Sequence, residues 1–467
     1  MKRISRFLVV VLLMGFNYSC EDAYNIDPDD EILEENSFTN VDDLERGMYG
    51  VYAGISGSNI IQWSSRFTDD LRIAETNRGQ GIAVHRWSIN PGTNEVVGLW
   101  GNMYNVIARA NRLMDAMENI NPINEDEEAT MQRIKAECLA IRAMEHFDLL
   151  RLFAQDYENA SLGVPIIDGV YVYEQFPRNT VGEVFAFINA DLTEAYNMLS
   201  ATYTDNTRFT KTGINALRAR IALYQKDYAS AISYATQVIN AAPLATSAEF
   251  QGVFTDQVET EVVFKLGRTS GDGAVGTIFT DTNGDVFFNL SYDLLDHMFA
   301  SGWTNDIRTF VNIDVANFDE SNLMVGKYLG TSANYGLNDI KLFRTGEQYL
   351  IRAEAYARTG SLDLAAQDVE TLRNTRVVPG GSMGVVSYSS ESNALNDILG
   401  ERRFELAYEG HRFFDLKRFG LGVNRGADDC AEAADPCSMD AGDYRLALPI
   451  PSDEIFANDV IQQNAQY

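Results

Sequence analysis

Long stretches of the chain place apolar residues three and four positions apart, which is the spacing at which side chains share one face of an α-helix. The stretch from Arg133 to Phe153 carries two such stripes, one through Ile134 and Ile141 and one through Phe147. A helix with more than one apolar face suits the middle of a helical stack. The same periodicity predicts eight helices, near residues 98–119, 125–154, 180–200, 211–225, 228–241, 346–359, 361–376 and 391–407.

Three other segments, residues 54–97, 243–345 and 377–390, are rich in Gly, Ser, Asn and Thr and have few long periodic runs. They are predicted to be irregular. Within the second segment, Glu261–Leu266 has the character of a short strand. Helices are therefore expected to form the scaffold, and loops are expected to carry the functional residues.

Two segments of the chain are similar to each other. Ala219–Ala231 and Ala353–Ala366 each run from a helix through a polar turn into a second helix that opens on alanines. Small residues at the turn let the two helices approach closely, and each pair needs neighbours to bury its remaining face. This pattern is typical of tetratricopeptide-like helix pairs and predicts a mainly α-helical chain with minor short β-strands.

The N-terminus is typical of an exported lipoprotein. Three basic residues precede the apolar run Phe7–Phe16, which is half of the roughly 20 residues that a membrane-spanning helix needs. Residues 1–19 are therefore predicted to be a cleaved signal peptide and Cys20 to be lipidated, although Asn17 departs from the usual Leu; an ordinary signal with a chance cysteine is the alternative. Residues 20–45 form a predicted acidic tether with eleven acids and no base.

The charge of the chain is strongly negative. It has 37 Lys and Arg residues against 67 Asp and Glu residues, a net charge of −30, and removal of the signal peptide would leave −33. Such a charge repels phosphate backbones at long range, and no basic tract would reverse the field locally, so nucleic acid is excluded as a partner. With 45% apolar residues the chain can bury a large core.

No catalytic or metal-binding motif stands out. The four histidines lack metal-ligand spacing and no nucleophile elbow is present, so no cofactor or metal site is predicted. A glycosidase-like carboxylate pair stays open, because nothing singles out two of the 67 acids. Cys138 is predicted to be a buried thiol. Cys430 and Cys437 lie in an acidic loop of an exported protein, which favours a disulfide over a metal site.

Several motifs in a fixed order carry a family resemblance. The most specific is Asp397–Gly420, which places six basic and five acidic side chains between aromatic residues. The others are Ala136–Phe153 followed by Gly163–Ile167, Arg344–Tyr356, and Leu448–Ile455 with Gln463 and Asn464. Together with Cys20 they resemble the SusD-like (RagB/SusD) family of surface lipoproteins over nearly the whole mature chain. The charged residues of the first motif predict a structural ion network: Glu401, Arg402, Arg403, Glu405 and Arg412.

The resemblance implies a SusD-like tetratricopeptide-repeat scaffold of about eight helices with a large irregular, loop-rich lobe. Residues 46–242 would form its N-terminal part and residues 243–467 its C-terminal part, packed together as one unit. It also implies a lid, anchored to the outer membrane and facing outward, that captures an oligosaccharide and delivers it to a SusC-like TonB-dependent transporter. No cofactor or reaction is needed. A peptide-capturing lid, a glycan-cleaving surface enzyme and a protein-scaffolding solenoid are the alternatives.

The same resemblance indicates glycan contacts in the segment Trp63–Trp87, where exposed rings would stack on sugars and polar side chains would bind hydroxyl groups. The predicted binding residues are Trp63, Trp87, Trp303, Asp69, Asp70, Asn77 and Arg86. Trp63 and Trp87 would alternatively fill the core, and Trp303 would alternatively pack under its loop or face the transporter. Four arginines in the segment suggest an acidic glycan, and Arg–Asp pairing within the loop is the competing explanation.

Overall fold

A computed structural model describes residues 37–281, 283–300, 305–317, 323–331, 333–430 and 436–467. The predicted signal peptide, Cys20 and Trp303 lie outside the described residues. Within these ranges the chain is mainly helical with a few short strands, and the predicted fold class is confirmed. No helix in the described part of the chain combines the length and the apolar character needed to cross a membrane.

The helices are, in chain order, α1 (Val41–Gly54), α2 (Gly57–Phe67), α3 (Ile82–His85), α4 (Asn94–Met117), α5 (Glu125–Phe153), α6 (Val181–Met198), α7 (Lys211–Tyr224), α8 (Tyr228–Ala241), α9 (Ser247–Phe254), α10 (Tyr292–Ala300), α11 (Ile307–Asn312), α12 (Thr345–Arg358), α13 (Leu362–Arg376), α14 (Glu391–Glu405), α15 (Arg412–Arg418) and α16 (Ser452–Ala457). The strands pair antiparallel within the described ranges: β1 (Leu71–Ile73) with β3 (Phe288–Leu290), β2 (Val262–Leu266) with β4 (Ile340–Arg344), and β5 (Val423–Asn424) with β6 (Ser438–Met439).

The eight predicted helices are all present, and the strand predicted at Glu261–Leu266 corresponds to β2. The number eight is nevertheless too low, because short helices also occupy segments that were expected to be irregular, among them α2 and α9 to α11. Helix α1 begins inside the predicted tether, at Val41. Helices α2 and α9 to α11 are short, so each offers only a few periodic positions, and the polar residues on their exposed faces resemble loop composition.

The ends of the long helices follow from local capping. Asn124 precedes α5 and accepts a hydrogen bond from the backbone amide of Glu127 at 2.9 Å. Thr180 and Glu183 form a reciprocal capping box at the start of α6. Such caps satisfy amides that have no partner within the helix, and the acidic residues in the first turn of α5 complement its dipole. Helix α5 then runs through the core, where both of its predicted apolar stripes are buried.

The two similar segments form helix pairs that stack on each other. Helices α7 and α8 make the first pair, α12 and α13 make the second, and α8 packs on α12. The turn of the second pair contains Gly360, whose φ of +79° favours glycine. The interface between the pairs is small and apolar: Ala219, Ala222, Leu223, Ala231, Ala235, Ile351 and Ala355. Alanines at these positions let the helices approach closely, as the sequence predicts.

A buried ion network joins α14 to the strands and to α13. Its centre is Glu405, whose carboxylate accepts hydrogen bonds from Arg376 at 2.8 Å and from Arg344 at 2.9 Å. Burial by itself raises the pKa of Glu405, but these guanidinium groups outweigh that effect and hold the pKa well below its ordinary value. The predicted structural role of this charged motif is confirmed, because its side chains are ion-paired inside the protein. Their partners are not one another, as i,i+4 spacing would suggest, but Asp415 and residues of distant segments, among them Arg308, Arg344 and Asp69.

Candidate functional site

The two tryptophans predicted to stack on sugars are buried. Trp63 is 1% exposed and packs against the rings of Phe67 and Phe413, and Trp87 is 2% exposed. The indole N–H of Trp87 donates to the carbonyl of Phe67 at 2.8 Å, and the guanidinium of Arg425 lies 4.4 Å from its ring. The prediction that these two rings are exposed and stack on sugars is therefore wrong, because α15 and its neighbours cover this face of α2.

Asp69 and Asp70 are also buried. Asp69 accepts two hydrogen bonds from Arg412, at 2.8 and 2.6 Å, and Asp70 accepts one from Arg403 at 2.9 Å. Burial raises the pKa of Asp69, but the charges of Arg403 and Arg412 outweigh it and lower that pKa. Both carboxylates thus hold the charged motif against β1, and they are not available to a ligand in this structure.

Asn77 and Arg86 lie nearer the surface, and both are half-buried. The side-chain amide of Asn77 donates to the carbonyls of Phe287 at 2.9 Å and Gln80 at 3.1 Å. Their predicted contact with a glycan stays a prediction. The other arginines of the segment bind the protein itself: Arg66 donates to the carbonyl of Ile278, Arg72 lies over the ring of Tyr292, and Arg78 pairs with Asp285.

The three cysteines in the described part of the chain are as the sequence predicts. Cys430 and Cys437 form a disulfide with their Cα atoms 5.4 Å apart. Cys138 is a free, buried thiol on α5, where burial raises its pKa.

A pocket of about 350 Å³ opens between α2 and the first turns of α4, and we call it the amide pocket. Its polar lining consists of the side chains of Asn59, Gln62, Trp63, Asn94 and Glu95. No hydrogen bond among the described residues uses the side chains of Asn59, Gln62 or Asn94, and the buried indole Nε1 of Trp63 also has no partner there. Amides both donate and accept, so this pocket offers uncommitted groups of both kinds to a polar ligand.

A second pocket of about 350 Å³ lies farther along the same two helices, and we call it the arginine pocket. Its polar side chains are Ser56, Ser58, Asn102, Asn105, Arg109 and Arg268. Asn94, Gly98, Asn102, Asn105 and Arg109 follow one another at intervals of three or four residues, so one face of α4 lines both pockets. A smaller cavity of about 40 Å³ is lined by Asn59 of the first pocket and Asn102 of the second.

The opposite face of α4 carries a different surface. Trp100, Tyr104 and Asn111 lie about half a turn away from the pocket residues, at 100° per residue, and they bind α16 and the segment 165–169. Next to these contacts lies an exposed apolar patch formed by Tyr171, Val172, Tyr173, Phe456 and Val460. Tyr173 is 92% and Phe456 83% exposed. Large exposed apolar patches mark interaction sites on soluble proteins.

Glu145 of α5 lines the smaller cavity, and among the described residues its carboxyl group has no ion-pair or hydrogen-bond partner. Burial, together with the charge of Asp148, raises the pKa of Glu145 well above its ordinary value. The folded state therefore holds a proton that the unfolded state releases near pH 4.5, so the contribution of this group to stability falls as the pH rises above that value.

We expect Glu145→Gln to raise the melting temperature, and to raise it more at pH 8 than at pH 5, because the amide removes the need to bury a charge or keep a proton. Thermal unfolding at the two pH values measures this difference. Glu128→Gln, at an exposed position near the start of the same helix, is the control and should show little pH-dependent change. An equal shift at both pH values would contradict the prediction.

Apart from Trp63, the pocket residues were not among the binding residues predicted from the sequence. Asn102, Asn105 and Arg109 share one face of a predicted helix, which is a detectable signal, but a solvated helix face has the same pattern. Asn59 and Gln62 lie in a segment predicted to be irregular, and Arg268 is remote in sequence. The packing of α2 against α4, and of the loop after β2 beside them, brings these side chains together.

Comparison with known proteins gives consistent matches. Residues 25–223 match a family model described as "Starch-binding associating with outer membrane", and residues 321–467 match the model of the SusD family. SusD-like protein P38 of Formosa agariphila is 22% identical over 524 residues, which cover 100% of this chain and 99% of that protein.

Solved structures agree with these sequence matches. A SusD superfamily protein from Bacteroides thetaiotaomicron has a TM-score of 0.80 and 26% identity, covering 92% of this chain and 100% of that one. A laminarin-binding SusD-like protein has the same fold, with a TM-score of 0.70 and 21% identity over 92% of this chain and 100% of that one.

Proposed function

Because the chain belongs to the SusD-like family, we propose that it is a lipoprotein, anchored through Cys20 on the outer face of the outer membrane, that captures oligosaccharides. It acts as a lid over a SusC-like TonB-dependent transporter and delivers the bound glycan for import. It binds without catalysing a reaction and uses no cofactor.

The observation that carries this proposal is the amide pocket. Sugar hydroxyl groups both donate and accept hydrogen bonds, and amide side chains match them in both respects. The amides of Asn59, Gln62 and Asn94 have no competing partner among the described residues, so a ligand would not have to displace protein contacts. The buried indole N–H of Trp63 supplies a further donor in the pocket lining and would gain the partner it lacks.

We expect the double variant Asn59→Ala, Gln62→Ala to bind its oligosaccharide about tenfold more weakly or worse, because each lost hydrogen bond costs about 0.5–1.5 kcal/mol. Isothermal titration measures the affinity, after a panel of neutral and anionic oligosaccharides that includes laminarin fragments has identified a ligand. Asn240→Ala, an exposed position at the end of α8, is the matched control.

Unchanged affinity in the double variant would remove the amide pocket as the binding site. Binding of peptides but of no glycan would replace the glycan proposal with a peptide-capturing lid. If the oligosaccharide is recovered as shorter products after incubation with the protein, an enzyme replaces the lid.

A partner surface separate from the glycan site supports the lid role. The apolar patch lies on the side of α4 opposite the two pockets, so a protein bound there would leave the pockets accessible to sugar. The loop that carries Tyr173 is tied to α16 by hydrogen bonds from Gln175 to the carbonyl of Ala457 and from Asn458 to the carbonyl of Phe176, both at 2.9 Å. The patch therefore presents its aromatic side chains on a supported backbone.

A further inference from the structure

The arginine pocket differs from the rest of this acidic chain. Among the described residues that line it there are two arginines and no Asp or Glu, although the chain has 67 acids and a net charge of −30. The serines and asparagines of the lining add neutral hydroxyl and amide groups. A pocket with only positive charges in an otherwise negative protein attracts a negatively charged ligand group.

The two guanidinium groups in this pocket are not paired with acids. Within the described ranges, no carboxylate lies within ion-pair distance of Arg109 or Arg268, whereas many other arginines of the chain are ion-paired. Arg109 donates one hydrogen bond, from Nη1 to the carbonyl of Gly50 at 2.9 Å. The Nε of Arg268 is buried and has no partner. Asp272, on the same loop as Arg268, does not line the pocket and lies beyond ion-pair distance. Its pKa is lowered by the hydrogen bond from the amide of Thr269 at 2.7 Å and, to a smaller extent, by the charge of Arg268.

The position of the pocket connects it to the glycan site. Ser58 and Asn59 are consecutive on α2 but line the arginine pocket and the amide pocket respectively, and Gly98 and Asn102 stand one turn apart on α4. From Asn94 to Arg109 the helix axis extends about 22 Å. One extended oligosaccharide would therefore reach from the amides of the first pocket to the guanidinium groups of the second.

We propose that the arginine pocket binds a carboxylate or sulfate group of the captured oligosaccharide, so that the protein prefers anionic glycans. Guanidinium groups bind such oxyanions through two parallel hydrogen bonds, and Ser58 and Asn105 supply further donors. Three of the four arginines of the Trp63–Trp87 segment, Arg66, Arg72 and Arg78, already contact the protein itself, so the arginine pocket offers the better-placed guanidinium groups. This inference rests on the proposed glycan binding.

The test starts with a glycan array that contains neutral, carboxylated and sulfated oligosaccharides. The strongest anionic ligand is then titrated beside its uncharged counterpart, which is the methyl ester of a uronate or the desulfated form of a sulfated glycan. We expect the uncharged counterpart to bind at least tenfold more weakly, and the affinity for the anionic ligand to fall as salt is added. If esterification weakens binding, the carboxylate is the recognised group. If desulfation weakens binding, the sulfate is the recognised group.

Two single variants probe the pocket independently, Arg268→Gln and Arg109→Gln. Each is expected to lower the affinity for the anionic ligand about tenfold and to leave binding of the uncharged counterpart nearly unchanged. Arg46→Gln removes an exposed arginine of α1 that pairs with Asp43, and it controls for a general loss of positive charge.

The outcomes separate this inference from the function on which it rests. Binding of neutral glycans only, or anionic binding that both arginine variants retain in full, would overturn the inference and leave the glycan-binding function intact. Failure to bind any glycan class would overturn the proposed function and the inference together.

Discussion

Glu405→Gln is expected to lower the free energy of unfolding by about 3–5 kcal/mol, because it removes one partner of a buried ion network. The Glu405 carboxylate contacts Arg308, Arg344 and Arg376, and all four side chains are almost completely inaccessible to solvent. Replacing the Glu405 carboxylate by a neutral amide leaves three buried guanidinium groups with less negative charge to balance them. Denaturant unfolding of the purified protein measures the difference.

The control for this experiment is Glu391→Gln at the exposed start of the same helix, α14, where the carboxylate pairs with Arg358 at the surface. Exposed pairs contribute at most about 1 kcal/mol. A loss for Glu405→Gln no larger than for Glu391→Gln would show that the network does not stabilise the fold.

The same side chain also predicts a pH dependence. The pKa of Glu405 is lower in the folded protein than its ordinary value near 4.5, so its stabilising contribution is complete above that value and is lost as the pH falls below it. The variant should therefore lose less stability than the wild type on acidification below pH 4.5.

Tyr173→Ser combined with Phe456→Ser is expected to abolish copurification of the TonB-dependent transporter. Both side chains lie almost fully in solvent, and the aromatic hot spots of an interface contribute about 2 kcal/mol or more each when a partner buries them. Together they would account for an affinity loss of more than about 100-fold. The measurement is affinity purification of the tagged chain from detergent-solubilised outer membrane, followed by identification of any large barrel protein.

Two controls make this result specific. Tyr49→Ser removes an exposed aromatic ring from α1, away from the patch, and should leave the complex intact. Glycan binding by the double variant should also be unchanged, because the pockets lie on the other face of α4. Wild-type recovery of the transporter by the double variant would dismiss the patch as the docking surface, and absence of a barrel with the wild-type chain would dismiss the lid.

Much of the fold was predictable because its signals are local. Helix periodicity, capping residues and small residues at turns all act within a few positions of the chain, and they placed eight of the helices and the α7–α8 and α12–α13 pairs, although they missed α1. The closely spaced cysteines of one loop are local in the same sense.

The burial of the two tryptophans could not be predicted from local signals. Trp63 and Trp87 flank a polar segment, and nothing within that segment distinguishes a ring that stacks on sugar from a ring that fills the core. The rings are buried by residues far along the chain, because Phe413 packs against Trp63 and Arg425 lies over Trp87. The same holds for Asp69 and Asp70, whose partners Arg412 and Arg403 are more than 300 residues away.

The sequence by itself determined the family and the helical scaffold, because both depend on spacing within short stretches. It also indicated that the charged motif is structural, but the partners of those charges lie on distant segments of the chain. Tertiary structure alone decided which polar side chains remain uncommitted. Asn59, Asn94 and Arg268 belong to three separate segments, and they face pockets only because α2, α4 and the loop after β2 pack side by side. A polar side chain is free to bind a ligand only if no other group of the protein binds it, and those groups come from distant parts of the chain that meet only in the folded protein.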